Sequence, residues 1–319
     1  MATLAPPPPA ADAQATFHAM GGSATTASHA DASRNSVGTT AYMTCMMRAV
    51  ESRVAHRPPL ARDAPAEALF HLAFGAAPLR LRLAAAVLSF PETGLVKLLA
   101  PARYARVAGV WALSATRTTY IDGAVTAAIA AGAQFVNLGA GLDSRAARGL
   151  AAPAGHYELD FQGMHDAKWD LYGSVGVPKP AAVCSIGADL SLGPNAWASK
   201  LLAAGYDPTT PSCWLLEGVI NYLTRDEVDE LVAGVAALAA PGSTLVLTFI
   251  AETAPPGSVG AAATTPMHRF FTDDIAGALR AFGPVEDVAT VGGRASAAGC
   301  FPTVAPDDAS YRFATARRS

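Results

Sequence analysis

The residues of this chain that could do chemistry begin with a glycine turn. The stretch Phe135-Val-Asn-Leu-Gly-Ala-Gly-Leu-Asp-Ser-Arg145 reads as a short buried strand, a turn built on Gly139 and Gly141, and a helix opening at Asp143. It is followed by Tyr157-Glu-Leu-Asp160, a second strand that ends in acid. In a doubly wound α/β sheet such a turn brings backbone close to a ligand, and an acid about 20 residues on meets a ribose hydroxyl. Gly139 and Asp160 fit that spacing, while Ser144 stands where a dinucleotide fingerprint has its third glycine. The pattern points to a nucleoside ligand more than to a dinucleotide. Two more acids follow strands of their own: Asp189, beside Leu190, after a third strand, and Glu217, closing the run Cys213-Trp-Leu-Leu-Glu217. A carboxylate in so apolar a run is costly to bury without a cationic partner.

Taken in order, Arg48-Ala-Val-Glu-Ser52, Arg117, Asn137-Leu-Gly-Ala-Gly-Leu-Asp-Ser-Arg145, Glu158-Leu-Asp160, Asp189-Leu190 and Glu217-Gly-Val-Ile-Asn-Tyr222 resemble the leucine carboxyl methyltransferase family of S-adenosylmethionine-dependent O-methyltransferases. The resemblance runs from about Thr40 to Leu247, and the tail after Phe249 is much less diagnostic. It implies a Rossmann-like seven-stranded class I methyltransferase sheet, S-adenosylmethionine as cofactor, and methyl transfer to a carboxylate or hydroxyl. It also implies that Arg117 binds the methionyl carboxylate and that Glu217 lies near the cofactor's amino or sulfonium group. The founding activity of the family is on a protein's C-terminal leucine carboxylate, and related sequences act on small molecules. In the family the Asp-Leu pair is often followed by Arg, where this chain has Ser191.

S-adenosylmethionine carries an adenosine, a sulfonium and an amino-acid end, so its site needs three kinds of partner. Gly139 and Gly141 let backbone approach the ribose and methionine end without a Cβ in the way. Asp160 is placed to accept from ribose hydroxyls, with helix capping as its other reading. Glu158, two residues earlier, shares its face in a regular strand, but Asp160 stands at the tip. Asp189 can accept from an adenine amino group and Leu190 can pack on the ring. Without the family, Arg117 on a helix is an ordinary surface charge. Tyr222 is the candidate catalytic residue, to orient substrate or close the site, with a packed loop aromatic as its other reading. A hydroxyl acceptor needs a base and a carboxylate does not, being ionised at neutral pH. The lone histidines His156 and His268 read as ordinary core or surface residues rather than as a base constellation, which favours a carboxylate or an acidic phenol.

These residues need elements to hold them. The chain has 319 residues, 23 basic and 26 acidic side chains, and four cysteines, Cys45, Cys184, Cys213 and Cys300, with no metal or redox spacing. That is room for one large domain, with no basic stripe for nucleic acid and with thiols suited to a reducing cytoplasm. Residues 1–38, with Pro6-Pro-Pro-Pro9, are expected to be disordered. Residues 39–132 read as a helical cap broken at Pro58-Pro59, Pro65, Pro78, Pro91 and Pro101, whose last helix presents Tyr120, Ala124, Ala127, Ala128 and Ala131 on one side. Residues 133–319 read as the α/β core. The apolar run 231–251 is long enough to span a bilayer, but Pro241-Gly242 splits it into a core helix and a strand, so no membrane is expected. Thr224-Arg-Asp-Glu227 is a capping box opening a helix with Val228, Leu231, Val232, Val235 and Leu238 on one face. Strands at 244–250, 285–291 and 311–316, a helix near 274–282, a Pro-Gly-Thr loop at 253–266 and an irregular Gly292–Gly299 connection complete the reading, the last two strands forming an antiparallel edge.

The expectation is thus a cytoplasmic O-methyltransferase that takes a small-molecule acceptor. The alternatives are a protein C-terminal leucine as acceptor, an NAD-dependent oxidoreductase, and a noncatalytic cofactor-binding protein on the same fold.

Overall fold

The structure, a computed structural model, describes residues 29–53, 58–75, 101–301 and 304–319. Its centre is a seven-stranded sheet of β1 (Gln134–Leu138), β2 (His156–Asp160), β3 (Val183–Gly187), β4 (Ser212–Leu216), β5 (Thr244–Ile250), β6 (Val285–Thr290) and β7 (Tyr311–Arg317). The order across the sheet is β3-β2-β1-β4-β5-β7-β6. The first five strands run parallel, and β7 is antiparallel to both β5 and β6. This is the Rossmann-like sheet of the class I methyltransferases. The central strands β1, β2 and β4 are buried on every residue, as strands covered on both faces must be.

Alternation along these strands sorts the core into two layers. Val136, Leu138, Leu159, Trp214, Leu216, Leu245 and Leu247 share a cluster with Val228, Leu231, Val232 and Val235, the apolar stripe of a helix over Arg225–Leu238. On the opposite face Phe135, Cys213, Leu215 and Val246 meet Ile121 and Val125. Those two residues belong to the 30-residue helix Pro101–Ala130, whose earlier part, at Trp111 to Leu113, packs with the N-terminal helices. Of the side expected of this helix, Tyr120, Ala124 and Ala128 pack half-buried against that cluster and Ala127 and Ala131 are exposed, while the fully buried positions beside them are Ile121 and Val125. The small alanines marked a stripe one position away from the larger side chains that take the core.

Numbered along the chain, the helices of the described residues are α1 (His29–Ser52), α2 (Ala64–Gly75), α3 (Pro101–Ala130), α4 (Gln162–Ser174), α5 (Ala198–Ala203), α6 (Arg225–Leu238), α7 (Val259–Ala263), α8 (Ile275–Leu279) and α9 (Val291–Ala298). The structure starts α1 at His29, so the last ten residues of the expected tail are helical. Residues 29–37 contain neither Pro nor Gly, unlike the segment upstream that carried the expectation. Residues 1–28, Pro78 and Pro91 lie outside the described residues. The long apolar run divides as read, α6 ending at Leu238 and β5 starting at Thr244, and among the described residues no helix is long and apolar enough to cross a membrane.

Three connections differ from the sequence reading. No helix opens at Asp143, where residues 139–150 form turns instead. Asp143 accepts from the Asn137 amide at 2.8 Å and from the Arg145 backbone N–H at 2.7 Å, so local polar bonds hold the chain in a turn before a single helical turn stops at Gly149. Within the Pro-Gly-Thr loop, Ser258 caps the short helix α7. The Gly292–Gly299 stretch is helix α9, begun by Thr290, which accepts from the Gly293 N–H at 3.0 Å, and ended by left-handed Gly299. A Cβ at Gly292 would strike the backbone of Ala305 and Asp308. Glycine there serves close packing of a helix against a loop rather than chain freedom.

Candidate functional site

The carboxyl ends of β1, β2, β3 and β4 open into a cavity of about 570 Å³. All eight residues singled out from the sequence line it: Arg117, Gly139, Gly141, Asp160, Asp189, Leu190, Glu217 and Tyr222. Thr40, Ala41, Met43 and Thr44 of α1 and Ala262 and Ala263 of α7 line it too, residues for which the sequence offered no chemical signal.

The glycine turn and Asp160 hold one another. Gly139 has φ +76° and Gly141 has φ +44°, backbone that glycine adopts without strain. A Cβ on Gly139 would run into Val219 Cγ2, and one on Gly141 would press on Ala41 Cβ at 3.2 Å. Gly141 N–H donates to Asp160 Oδ2 and Phe161 N–H to Oδ1, both at 2.7 Å. Asp160 is only 7% exposed, and burial raises its pKa although these two backbone donors pull the other way. Glu158 does not share this position. It is buried with Lys168, whose Nζ lies 2.7 Å from Glu158 Oε2, and with His156 at 3.7 Å. The buried Lys168 holds that carboxylate inside the protein.

Asp189 caps a turn of 3₁₀ helix at Leu190–Leu192, and its Oδ1 accepts both the Ser191 N–H at 3.1 Å and the Ser191 hydroxyl at 2.6 Å. Ser191, which stands where the family often has Arg, is therefore the residue that fixes this carboxylate. Both bonds fall on one oxygen, which leaves Oδ2 for an incoming donor.

Glu217 meets two arginines. Arg117 Nε lies 2.8 Å from Glu217 Oε1 and Arg145 Nη1 lies 2.8 Å from Oε2. Burial would raise the Glu217 pKa, but Arg145 and Arg117 outweigh it and hold the carboxyl below its usual range. The cationic partner that this acid required is thus supplied by the protein, in part by Arg145, which the sequence reading left at the end of a motif. Arg145 also bonds Asp122 at 2.7 Å and Asp143. Arg117 is 6% exposed, so it is no surface charge, and its Nε makes an ion pair with Glu217 without a directed hydrogen bond.

A second network joins the turn to the helices above it. Arg48 Nε donates to Asp63 Oδ2 and its Nη2 to the Leu142 carbonyl, both at 2.7 Å. Ser144, in the place of the third glycine, donates to the same Asp63 oxygen at 2.6 Å. These bonds fasten α1 as a roof over the glycine turn.

The far side of the cavity is built differently. Tyr222 donates to Thr40 Oγ1 at 2.9 Å, and burial raises its pKa. His268 stands edge-on to the Tyr222 ring, with centroids 4.7 Å apart. His156, by contrast, is a core residue against Phe135. Among the described residues no cluster of His, Cys, Asp and Glu could hold a metal ion, and all four cysteines are free.

A nucleoside with a charged amino-acid tail fits these donors and acceptors: a strand-tip acid beside a bare turn, a second acid with one free oxygen, and a buried arginine. Comparison with known proteins agrees. The model of the leucine carboxyl methyltransferase family matches residues 41–236. The chain is 40% identical over 139 residues to a Mycobacterium avium protein named for S-adenosyl-L-methionine-dependent methyl transfer, covering 43% of this chain and 44% of that one. A relative of the same name from Mycobacteroides abscessus is 37% identical over 215 residues, covering 66% and 67%. The chain thus spans less than half of the first relative's length and two thirds of the second's. Among solved structures, a DUF574 family protein from Streptomyces avermitilis is 16% identical with a TM-score of 0.48, covering 79% of this chain and 97% of that one.

Proposed function

The chain belongs to the leucine carboxyl methyltransferase family, and from that premise we propose that it transfers a methyl group from S-adenosylmethionine to a carboxylate oxygen of a small molecule in the cytoplasm. The observation that carries the reading is the convergence, on one cavity, of Asp160 at the β2 tip, the Gly139–Gly141 turn and the Arg117–Glu217 pair. Asp160 accepts from the ribose hydroxyls, Asp189 Oδ2 from the adenine amino group, and Leu190 packs on the ring. Arg117 holds the methionyl carboxylate, with Glu217 keeping its guanidinium in place. When bound, S-adenosylmethionine supplies a methyl group on a sulfonium, which passes to the acceptor oxygen as the carbon–sulfur bond breaks and its electron pair stays on sulfur. The protein's part is alignment and exclusion of water, with α1 and α7 closing over the cleft.

A carboxylate acceptor is supported by the state of the titratable groups around the cavity. The Tyr222 phenol is pushed up by burial and bonded to Thr40, and Glu217 is held ionised between two arginines. Neither is placed to take a proton, and a carboxylate has none to give. Tyr222 then orients the acceptor. A small molecule suits a cleft roofed by α1 better than a protein terminus does.

Calorimetric titration with S-adenosylmethionine and with NAD tests the reading. Micromolar binding of S-adenosylmethionine alone is expected, weakened about tenfold or more in Asp160→Ala through loss of charged hydrogen bonds. Binding of NAD instead, or unchanged affinity in a variant that keeps its melting temperature, would overturn it.

A further inference from the structure

His268 lines the cavity on the side away from the strand-end acids. It is half-buried between the cleft and the loop that carries it, with Tyr222 edge-on on one side and Phe271 at 6.3 Å on another. Its Nδ1 accepts a hydrogen bond from the Thr265 backbone N–H at 3.3 Å. A backbone amide can only donate, so this contact requires a lone pair on Nδ1. In the neutral ring the proton must then sit on Nε2. Among the described residues Nε2 has no hydrogen-bond partner, and the atom is not sealed in the interior. The charged form is disfavoured twice. Burial lowers the pKa of this imidazole, and a proton on Nδ1 would face the Thr265 N–H. Among the described residues no carboxylate pairs with His268 to offset this, and the neighbouring charge in the chain, Arg269, is itself bonded to the Tyr222 carbonyl at 2.9 Å and to Glu227 at 3.1 Å.

We propose that His268 binds the methyl acceptor, donating Nε2–H to an acceptor oxygen, and that it is not the base of the reaction. The proposal rests on the methyltransferase reading above and adds to it the group that selects the acceptor. A base at this position would need the opposite tautomer, with Nδ1–H and a lone pair on Nε2. The Thr265 amide opposes it. Nε2–H can donate to any oxygen with a free lone pair, but this ring takes no proton from it, so the acceptor that reacts here is one already ionised. For a carboxylate, one oxygen takes Nε2–H while the other attacks the methyl carbon. The new O–CH₃ bond forms with that oxygen's electron pair and no proton is released. The edge of the Tyr222 ring and its bond to Thr40 fix the direction from which the imidazole points.

The test begins with the ring itself. In ¹⁵N-labelled protein, with the His268 signals assigned by their loss in His268→Gln, long-range ¹H–¹⁵N spectra at neutral pH should show Nε2 protonated and Nδ1 bare. The opposite tautomer, or an imidazolium, would overturn the proposal without any substrate being known. The second measurement uses straight-chain C4 to C16 carboxylates, benzoate, phenylacetate and cinnamate as probes, with the matching alcohols and phenols, and follows methyl transfer from labelled S-adenosylmethionine. Carboxylates should be methylated, with kcat/KM flat as pH falls from 8 to 6. His268→Gln, which keeps a donor near the Nε2 position, should stay within about threefold of wild type. His268→Phe should raise KM about tenfold or more with a smaller change in kcat. Methylation confined to alcohols and phenols, an acidic fall in rate abolished by the Phe variant, or equal loss in Gln and Phe would each overturn it. Should S-adenosylmethionine itself fail to bind in calorimetry, it is the methyltransferase reading that falls, and the tautomer still reports on His268 alone.

Discussion

The Arg117–Glu217–Arg145 group shows how one residue's state depends on its neighbours. Among the described residues Glu217 is the ionic partner recorded for Arg117, whereas Arg145 keeps Asp122 and Asp143 as well. Removing one member of a buried ion pair leaves an uncompensated charge and costs roughly 3–5 kcal/mol. Glu217→Ala is therefore expected to lower the unfolding free energy by about 3 kcal/mol, and adding Arg117→Met should restore part of it. Denaturant unfolding of the two singles and the double checks this, and additive losses would show that the pair is not coupled. The same residues mark what could be read in advance. Glycines and a strand-tip acid announce themselves by their spacing between two neighbouring strands, and Asp160 and the turn are indeed side by side. Asp63 joins Ser144 across 81 positions and Thr40 joins Tyr222 across 182, pairings with no local pattern to reveal them.

At the level of elements, α6 was legible because its signals agree. Thr224 Oγ1 accepts from Glu227 N–H at 3.3 Å, the Glu227 carboxylate takes the Thr224 N–H at 2.6 Å, and the apolar stripe begins at once with Val228. Thr224→Ala is expected to cost about 1 kcal/mol, read as a fall of about 2 °C in melting temperature for a chain of this size. No change would mean that packing against the sheet alone fixes the helix start. Where the sequence misled, a contact that its simple pattern did not show decided the conformation, across the fold in α9 and within a few residues at Asp143. Two adjacent glycines read as loop in α9, yet one of them, Gly292, is what lets the helix lie against the backbone of Ala305 and Asp308. Asp143 read as a helix start, yet its bonds to Asn137 and Arg145 keep the chain in a turn around the cleft.

For the whole molecule, buried carboxylates set the response to acid. Burial alone would raise the pKa values of Asp63, Asp143, Glu158 and Glu217, but the arginines and Lys168 beside them outweigh it and lower all four. Groups depressed in the fold contribute stability that is present above their unfolded pKa, about 4, and lost as pH falls through the folded values. Asp160, raised by burial, has the opposite sign but stands alone among these five. His165 and His268, whose imidazoles burial holds below their ordinary value, already take some stability away between pH 7 and 5, and the steep fall is expected below 4, which denaturant midpoints at pH 7, 5 and 3 would show. A midpoint unchanged at pH 3 would mean that the charges are not paired as described.

The order of the strands carries a consequence for synthesis. β7 is made after β6 but inserts between β6 and β5, and its first residue, Tyr311, also lines the cleft. Domains form from the N-terminal side as the chain leaves the ribosome. A nascent chain translated through β6 therefore holds a parallel sheet whose edge strand β5, which carries Leu245, Leu247 and Phe249, has no neighbour on its outer side, and a β6 with nothing to pair to. Open apolar edges of this kind invite pairing between chains. Chains truncated between residues 290 and 311 would lack a finished cleft and leave two strand edges open to pairing with one another.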